Sequence, residues 1–217
     1  MELPLAALAV SVLLGQAHTL KCYRCSGSKC DSTQSAQICE GADMCQTQLD
    51  WQLSGNVPSE KVTKSCSTSQ TCTNISLNLG SIIRKISCCN EDLCNSGPSV
   101  DEDGKTATMH ECYGCLTMLN DFKCNRTGRI KCTDSQTKCG RLQTVFSQPG
   151  RNISLDFQGC LSESVCQLNS TAIIFEVEIG KSFECCSGNL CNRGPRPGTG
   201  SLCLIFLCFY LLATNSK

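Results

Sequence analysis

Between Cys45 and Leu53, polar and apolar side chains alternate without a break. Cys45, Thr47, Leu49, Trp51 and Leu53 fall on one face, and Gln46, Gln48, Asp50 and Gln52 on the other. A period of two belongs to a strand. A turn-like tip, Ser54-Gly55-Asn56-Val57-Pro58, follows, and the chain returns through Lys61-Val62-Thr63-Lys64 to Cys66. The same shape recurs later. Cys139 to Phe146 runs out to a tip at Gln148-Pro149-Gly150-Arg151 and returns through Ile153-Ser154-Leu155 to Cys160. Two further strands are expected, Ile82–Ser87 and Phe175–Ile179. Between the apolar N-terminal run and the apolar tail no segment keeps a helical period, so the class expected is all-β, made of long hairpins.

Cysteine then decides how those hairpins are held. The chain has 217 residues and 22 cysteines, a share that marks an extracellular disulfide scaffold. The first set is Cys22, Cys25, Cys30, Cys39, Cys45, Cys66, Cys72, Cys88, Cys89 and Cys94. The second is Cys112, Cys115, Cys124, Cys132, Cys139, Cys160, Cys166, Cys185, Cys186 and Cys191. The gaps of 3, 21, 6, 1 and 5 residues recur in both sets, so the chain holds two copies of one module. Each closes on an adjacent pair, in Cys88-Cys89-Asn90-Glu91-Asp92-Leu93-Cys94-Asn95 and in Cys185-Cys186-Ser187-Gly188-Asn189-Leu190-Cys191-Asn192. Adjacent Cα atoms lie ~3.8 Å apart, too close for an unstrained bridge, and neighbours on a strand face opposite ways. Cys88 is therefore expected to tie the strand to something distant, while Cys89 can close a small loop with Cys94. Spacing alone leaves the remaining connectivity open. Modules of this size carry a marginal apolar core, and cross-links worth ~2–4 kcal/mol each are expected to supply much of the stability.

The modules fall at residues 20–96 and 111–193. The stretch between them, residues 97–110, is rich in Gly, Pro, Ser and acids and reads as a solvated linker that lets the modules reorient unless they pack on each other. Residues 1–17 read as a signal peptide, with an apolar run from Leu3 to Leu14 and a small-x-small end at Gly15-Gln16-Ala17. Residues 194–217 read as a spacer and tail. The apolar run Leu202–Ala213 is too short to span a bilayer but fits the cleaved tail of a GPI signal. Candidate attachment residues are Asn192, Gly194 and Gly198. Removing the tail also removes Cys203 and Cys208 and leaves an even set of cysteines.

Leu20-Lys21-Cys22-Tyr23-Arg24-Cys25, the recurring gaps and the closing Cys-Cys-x-x-x-Leu-Cys-Asn resemble the urokinase-receptor/lymphocyte-antigen-6 family of three-finger, snake-toxin-like domains. The resemblance covers Leu20 to Asn95 and Glu111 to Asn192, as two tandem disulfide-rich domains. It implies the pairs Cys22–Cys45, Cys25–Cys30, Cys39–Cys66, Cys72–Cys88 and Cys89–Cys94. In the second module it implies Cys112–Cys139, Cys115–Cys124, Cys132–Cys160, Cys166–Cys185 and Cys186–Cys191. It further implies that Asn95 and Asn192 hydrogen-bond into the disulfide hubs. The two-module layout, with Phe157 to Cys166, is similar to two-domain members that include secreted phospholipase inhibitors and anchored surface proteins.

Chemistry beyond binding finds little support. Cys22-x-x-Cys25 and Cys112-x-x-Cys115 sit inside a framework that consumes every thiol, so no metal or other cofactor is expected. Nucleophilic catalysis needs a base beside the nucleophile, and the histidines are His18, at or near the mature N-terminus, and His110, in the linker. Glu176 and Glu178 share a strand face, as solvated acids ordinarily do. Charge is balanced at 19 basic and 19 acidic residues, giving no reason to expect nucleic acid as a partner. N-glycosylation sequons begin at Asn74, Asn125, Asn152 and Asn169. Asn74 and Asn169 hold the same place in the two copies, and a glycan there would turn that face away from a protein partner. Lys123, Arg126, Arg129, Lys131, Lys138 and Arg141 form either a patch for an acidic partner or a solvated surface. Trp51 is either a binding anchor or a cover for its sheet.

The expected function is an extracellular, glycosylated, GPI-anchored surface protein without enzymatic activity. It would meet a receptor, matrix protein or secreted enzyme through its finger surfaces and the membrane through a lipid anchor. The alternative is a secreted inhibitor of an enzyme such as a phospholipase.

Overall fold

The structure, a computed structural model, describes residues 19–54, 57–97, 107–117, 128–133, 135–148, 151–168 and 182–193, with the side chains of 107–108, 116–117, 146–148 and 151–154 excepted. The expected strand Phe175–Ile179, the leader and the tail lie outside these residues. The first domain runs through β1 (Lys21–Gly27), α1 (Cys30–Thr33), β2 (Ser35–Ile38), β3 (Met44–Ser54), β4 (Val57–Ser67), β5 (Ile75–Asn78) and β6 (Ile82–Cys89). The second runs through β7 (Ala107–Tyr113), β8 (Cys115–Thr117), β9 (Arg129–Thr133), β10 (Lys138–Gln148), β11 (Arg151–Leu161), α2 (Glu163–Gln167) and β12 (Glu184–Cys186). Residues 107–110, read as the end of a linker, thus begin the second domain. The two α-helical turns have no counterpart in the sequence pattern, since four and five residues are too few to show a period.

Both long hairpins run further into their tips than the turn residues suggest. Ser54 pairs with Val57, and Gln148 pairs with Arg151. Pro58 stands inside β4, opposite Leu53. It is tolerated because β1 reaches β4 only at residues 62–64, so near the tip β4 has β3 as its one paired neighbour.

The adjacent cysteines part across their strand. Cys88 bonds Cys72 at a Cα separation of 6.0 Å, and Cys89 bonds Cys94 at 6.2 Å. In the second domain Cys185 bonds Cys166 and Cys186 bonds Cys191. The other bonds are Cys22–Cys45, Cys25–Cys30, Cys39–Cys66, Cys112–Cys139 and Cys132–Cys160. Cys115 is also disulfide-bonded, and Cys124 lies outside the described residues.

The two domains do not hang on a tether. Asn78 and Leu77 of β5 pair with Cys160 and Leu161 of β11, so nine strands follow one another as β12-β10-β11-β5-β6-β3-β4-β1-β2, with β8 also on β11. Ser76 in the first domain and Ser162 in the second lock the joint. The Ser76 N–H donates to Ser162 Oγ at 3.0 Å, and the Ser162 N–H donates to the Ser76 carbonyl at 2.8 Å. Gln136 Nε2 adds a bond to Ser76 Oγ at 2.9 Å. An apolar core fills the seam, built from Ile75, Leu77, Leu79 and Ile86 on one side and Leu142, Phe157, Leu161, Val165 and Phe183 on the other. The sulfur hubs carry each module as composition implies, but the oily centre exists and belongs to both modules together.

Gly159 makes the joint possible. A Cβ there would fall on the Asn78 carbonyl and on Leu79, so a side chain at this place keeps β11 from β5. Gly140, its register partner on β10, makes the matching room for Leu161. Replacing Gly159 by Ala is expected to part the domains while each keeps its disulfides, at a cost of about 1–3 kcal/mol typical of overpacking. Small-angle scattering should then show a larger radius of gyration, and calorimetry two separated melting transitions. An unchanged radius with a single transition would contradict the role given to this residue.

Candidate binding surface

Fingers can present a surface only if their bases are rigid, and two matching hubs hold them. In the first, Cys22, Cys39 and Cys45 are buried with Cys66, Cys89, Cys94 and Leu20 against them. In the second, Cys112, Cys132, Cys139 and Cys160 are buried with Ile130, Cys186 and Cys191 against them. Each hub is closed by an asparagine that bonds both ends of one residue of the first strand. Asn95 Oδ1 accepts from the Tyr23 N–H at 2.8 Å, and its Nδ2 donates to the Tyr23 carbonyl at 2.9 Å and the Gln46 carbonyl at 3.3 Å. Asn192 does the same to Tyr113, at 3.0 and 2.9 Å, and to the Gly140 carbonyl at 3.0 Å. Only an amide offers an acceptor and two donors at this reach.

Two residues before each of those cysteine-asparagine ends, the backbone is also copied. Asp92 Oδ1 accepts from the Lys21 N–H and Asn189 Oδ1 from the Glu111 N–H. Leu93 and Leu190 both take φ 55°, a left-handed turn costly for a branched side chain. Each is repaid by a bond of 2.7 Å from its N–H to the carbonyl of Lys21 or Glu111.

At the free end of the β3–β4 finger the register puts Trp51, Leu53 and Pro58 on one face, with Ile83 of β6 across from Trp51. Trp51 and Ile83 are half-buried, while Leu53 is 37% exposed. Val57, at the tip itself, is 69% exposed. Behind this apolar end lie charges already satisfied: Arg84 Nε is bonded to Asp50 Oδ1, and Gln48 Nε2 reaches Asp50 Oδ2 at 2.7 Å. At the finger's base the exposed Asp43 is held below the ordinary carboxylate range by bonds from the Ser69 hydroxyl and N–H. That contact is complete above the ordinary carboxylate pKa and is lost as pH falls through the lowered one.

Clusters that could pass for metal sites are sulfur hubs. Cys22, Cys39 and Cys66, or Cys112, Cys132 and Cys160, bring ligand atoms within 4.8 Å of one another. Every one of those sulfurs is in a disulfide and offers no thiolate. His110, read as a linker residue, lies in β7 with Nε2 3.6 Å from Cys139 Sγ, where it packs on the second hub.

Residues 108–194 match the family model described as the u-PAR/Ly-6 domain, and residues 20–95 match that of snake toxin and toxin-like proteins. The urokinase plasminogen activator surface receptor of Rattus norvegicus is 30% identical over 162 residues, 72% of this chain and 48% of that protein. The receptor of the same name from Mus musculus is 32% identical over 126 residues, 55% of this chain and 38% of that protein. The chain thus spans about half the length, or less, of these relatives. A crystal structure of mouse TEX101 aligns over 78% of this chain and 99% of its own, at 18% identity and a TM-score of 0.32. The chain is built of two tandem three-finger domains of the u-PAR/Ly-6 type. Domains of this type are extracellular, disulfide-rich protein-binding modules and are characteristically non-catalytic.

Within the three-finger domains the candidate residues scatter. Arg129 and Lys131 are exposed on β9, but Lys123 and Arg126 lie outside the described residues. Lys138 is paired with Glu163 at 3.1 Å and Arg141 with Asp156 at 3.2 Å, so the basic run is not one open patch. Asn74 is exposed, Asn125 and Asn169 lie outside the described residues, and the Asn152 side chain is not described. The face at Asn74 meets the other domain, because Ser164 Oγ donates to the Asn74 carbonyl. Sequence reasoning missed Lys64, wholly buried in β4. Its Nζ meets Asp31 at 2.7 Å, Gln34 Oε1 at 2.8 Å and the Gly97 carbonyl at 2.8 Å. A strand lysine carries no mark of this in its local pattern.

Replacing Asn192 by Ala leaves buried strand N–H and C=O groups without these partners, and replacing Asn95 does the same to partly buried ones, at ~1–3 kcal/mol for each. Thermal unfolding of either variant should fall by several degrees, with the disulfide bonds unchanged on non-reducing peptide maps. A melting point equal to that of the parent protein would show that the hub does not need its amide.

Proposed function

We propose that this protein is an N-glycosylated, GPI-anchored cell-surface molecule that binds a protein partner through the tip of the β3–β4 finger. The observation that carries the reading is the apolar face formed by Trp51, Leu53 and Pro58 near the tip of a finger whose base is clamped by disulfides. An aromatic anchor on a rigid support loses little conformational freedom when it docks, which is where hot spots concentrate. The partner is an extracellular receptor, matrix protein or secreted enzyme, offering an apolar pocket for the indole.

The anchor follows from the apolar Leu202–Ala213 run after a small-residue spacer. Asn192, Gly194 and Gly198 are the candidate attachment residues. Glycans at Asn74, Asn125, Asn152 and Asn169 complete the surface.

Trp51→Ala is expected to weaken partner binding by about 2 kcal/mol, roughly thirtyfold, with an unchanged melting temperature. Binding equal to the parent's would move the site off this finger. Phosphatidylinositol-specific phospholipase C should release the protein from cells into the medium. Protein that stays in the membrane pellet counts against the anchor, and protein found in the medium without the enzyme supports the secreted alternative.

A further inference from the structure

We infer that the cleft at the junction of the two domains seats the first sugar of an N-glycan on Asn74. The inference rests on reading Asn74 as glycosylated and adds where that glycan lies and what it does.

Asn74 immediately precedes β5, the strand by which the first domain joins the second. An N-glycan is transferred to an extended chain as it enters the secretory compartment, and the N-terminal domain folds first. In the finished fold Ser76, the sequon hydroxyl, is 5% exposed and is bonded by both Ser162 and Gln136. Modification at this sequon therefore precedes docking of the second domain. That domain then has to close over a substituted residue, since Ser164 contacts the Asn74 carbonyl itself.

The joint leaves room at that place. A cleft of about 460 Å³ opens beside Asn74. Lys85, Ile86 and Ser87 line it from the first domain, and Ser135, Thr137 and Glu163 from the second. Asn74 Oδ1 accepts from the Cys88 N–H at 2.7 Å, which fixes the amide plane of an exposed side chain and leaves Nδ2 as the end that carries the sugar. A pyranose has hydroxyls around its rim and C–H groups on its faces. A wall that mixes hydroxyls, one charge of each sign and an isoleucine suits both. Sitting between the domains, the sugar bridges them and holds their orientation.

The test uses the intact glycoprotein secreted by mammalian cells, with glycan release by peptide-N-glycosidase followed at each sequon by mass spectrometry. Without denaturant, the Asn74 glycan should be released at least tenfold more slowly than those at the other occupied sites, and the difference should vanish after reduction and unfolding. With labelled glycans, the N-acetyl protons of the first sugar should show a nuclear Overhauser contact to the Thr137 methyl. An unoccupied Asn74 sinks both the glycosylation reading and the seat. An occupied Asn74 with either release as fast as at the other sites or no contact to Thr137 overturns the seat alone.

Discussion

A strand sends neighbouring side chains to opposite faces, and the rest of this molecule depends on two cysteines placed under that rule. Cys89 turns to the first hub, where it packs with Cys22, Cys39 and Cys45, while Cys88 turns to the apolar seam. Cys186 and Cys185 repeat the division in the second domain. One sulfur of each pair therefore fastens a finger base and the other fastens the wall of the core shared between domains. Removing either would unsettle a different part of the structure.

That division explains how modules with few aromatic residues reach a stable arrangement. The hubs restrict the unfolded chain and need little apolar area. The area that is available, from Ile75 to Leu79 on one side and from Phe157 to Val165 on the other, is spent on the joint. The consequence for function is a fixed body rather than two beads on a string. A finger tip carrying Trp51 is then held in a set relation to the second domain as well as to its own hub.

Much of this was legible along the chain, and the reasons are physical. Cysteine spacing and strict alternation are local signals, so the all-β class, the paired modules and the long hairpins could be read directly. The parting of Cys88 from Cys89 needs only a bond length and a strand. The joint was not legible, because Gly159 looks like any glycine in a strand until the carbonyl of Asn78, in the other domain, lies against it. The Gly- and acid-rich stretch after Ser96 left open whether the modules reorient or pack, since a linker's composition says nothing of what its flanking domains bury. The burial of Lys64 was missed and His110 was assigned to the linker because the surroundings of a polar residue are set by distant partners, here Asp31 and Gly97, and the second hub. Within the basic run, the pairing of Lys138 with Glu163 and of Arg141 with Asp156 is likewise set by residues distant in the chain.

Disulfide mapping of the purified, unreduced protein by mass spectrometry tests the division of the adjacent cysteines most directly. The account requires peptides joined through Cys72–Cys88, Cys89–Cys94, Cys166–Cys185 and Cys186–Cys191. A bridge within Cys88-Cys89 or Cys185-Cys186, or a free thiol at any of the four, would contradict it.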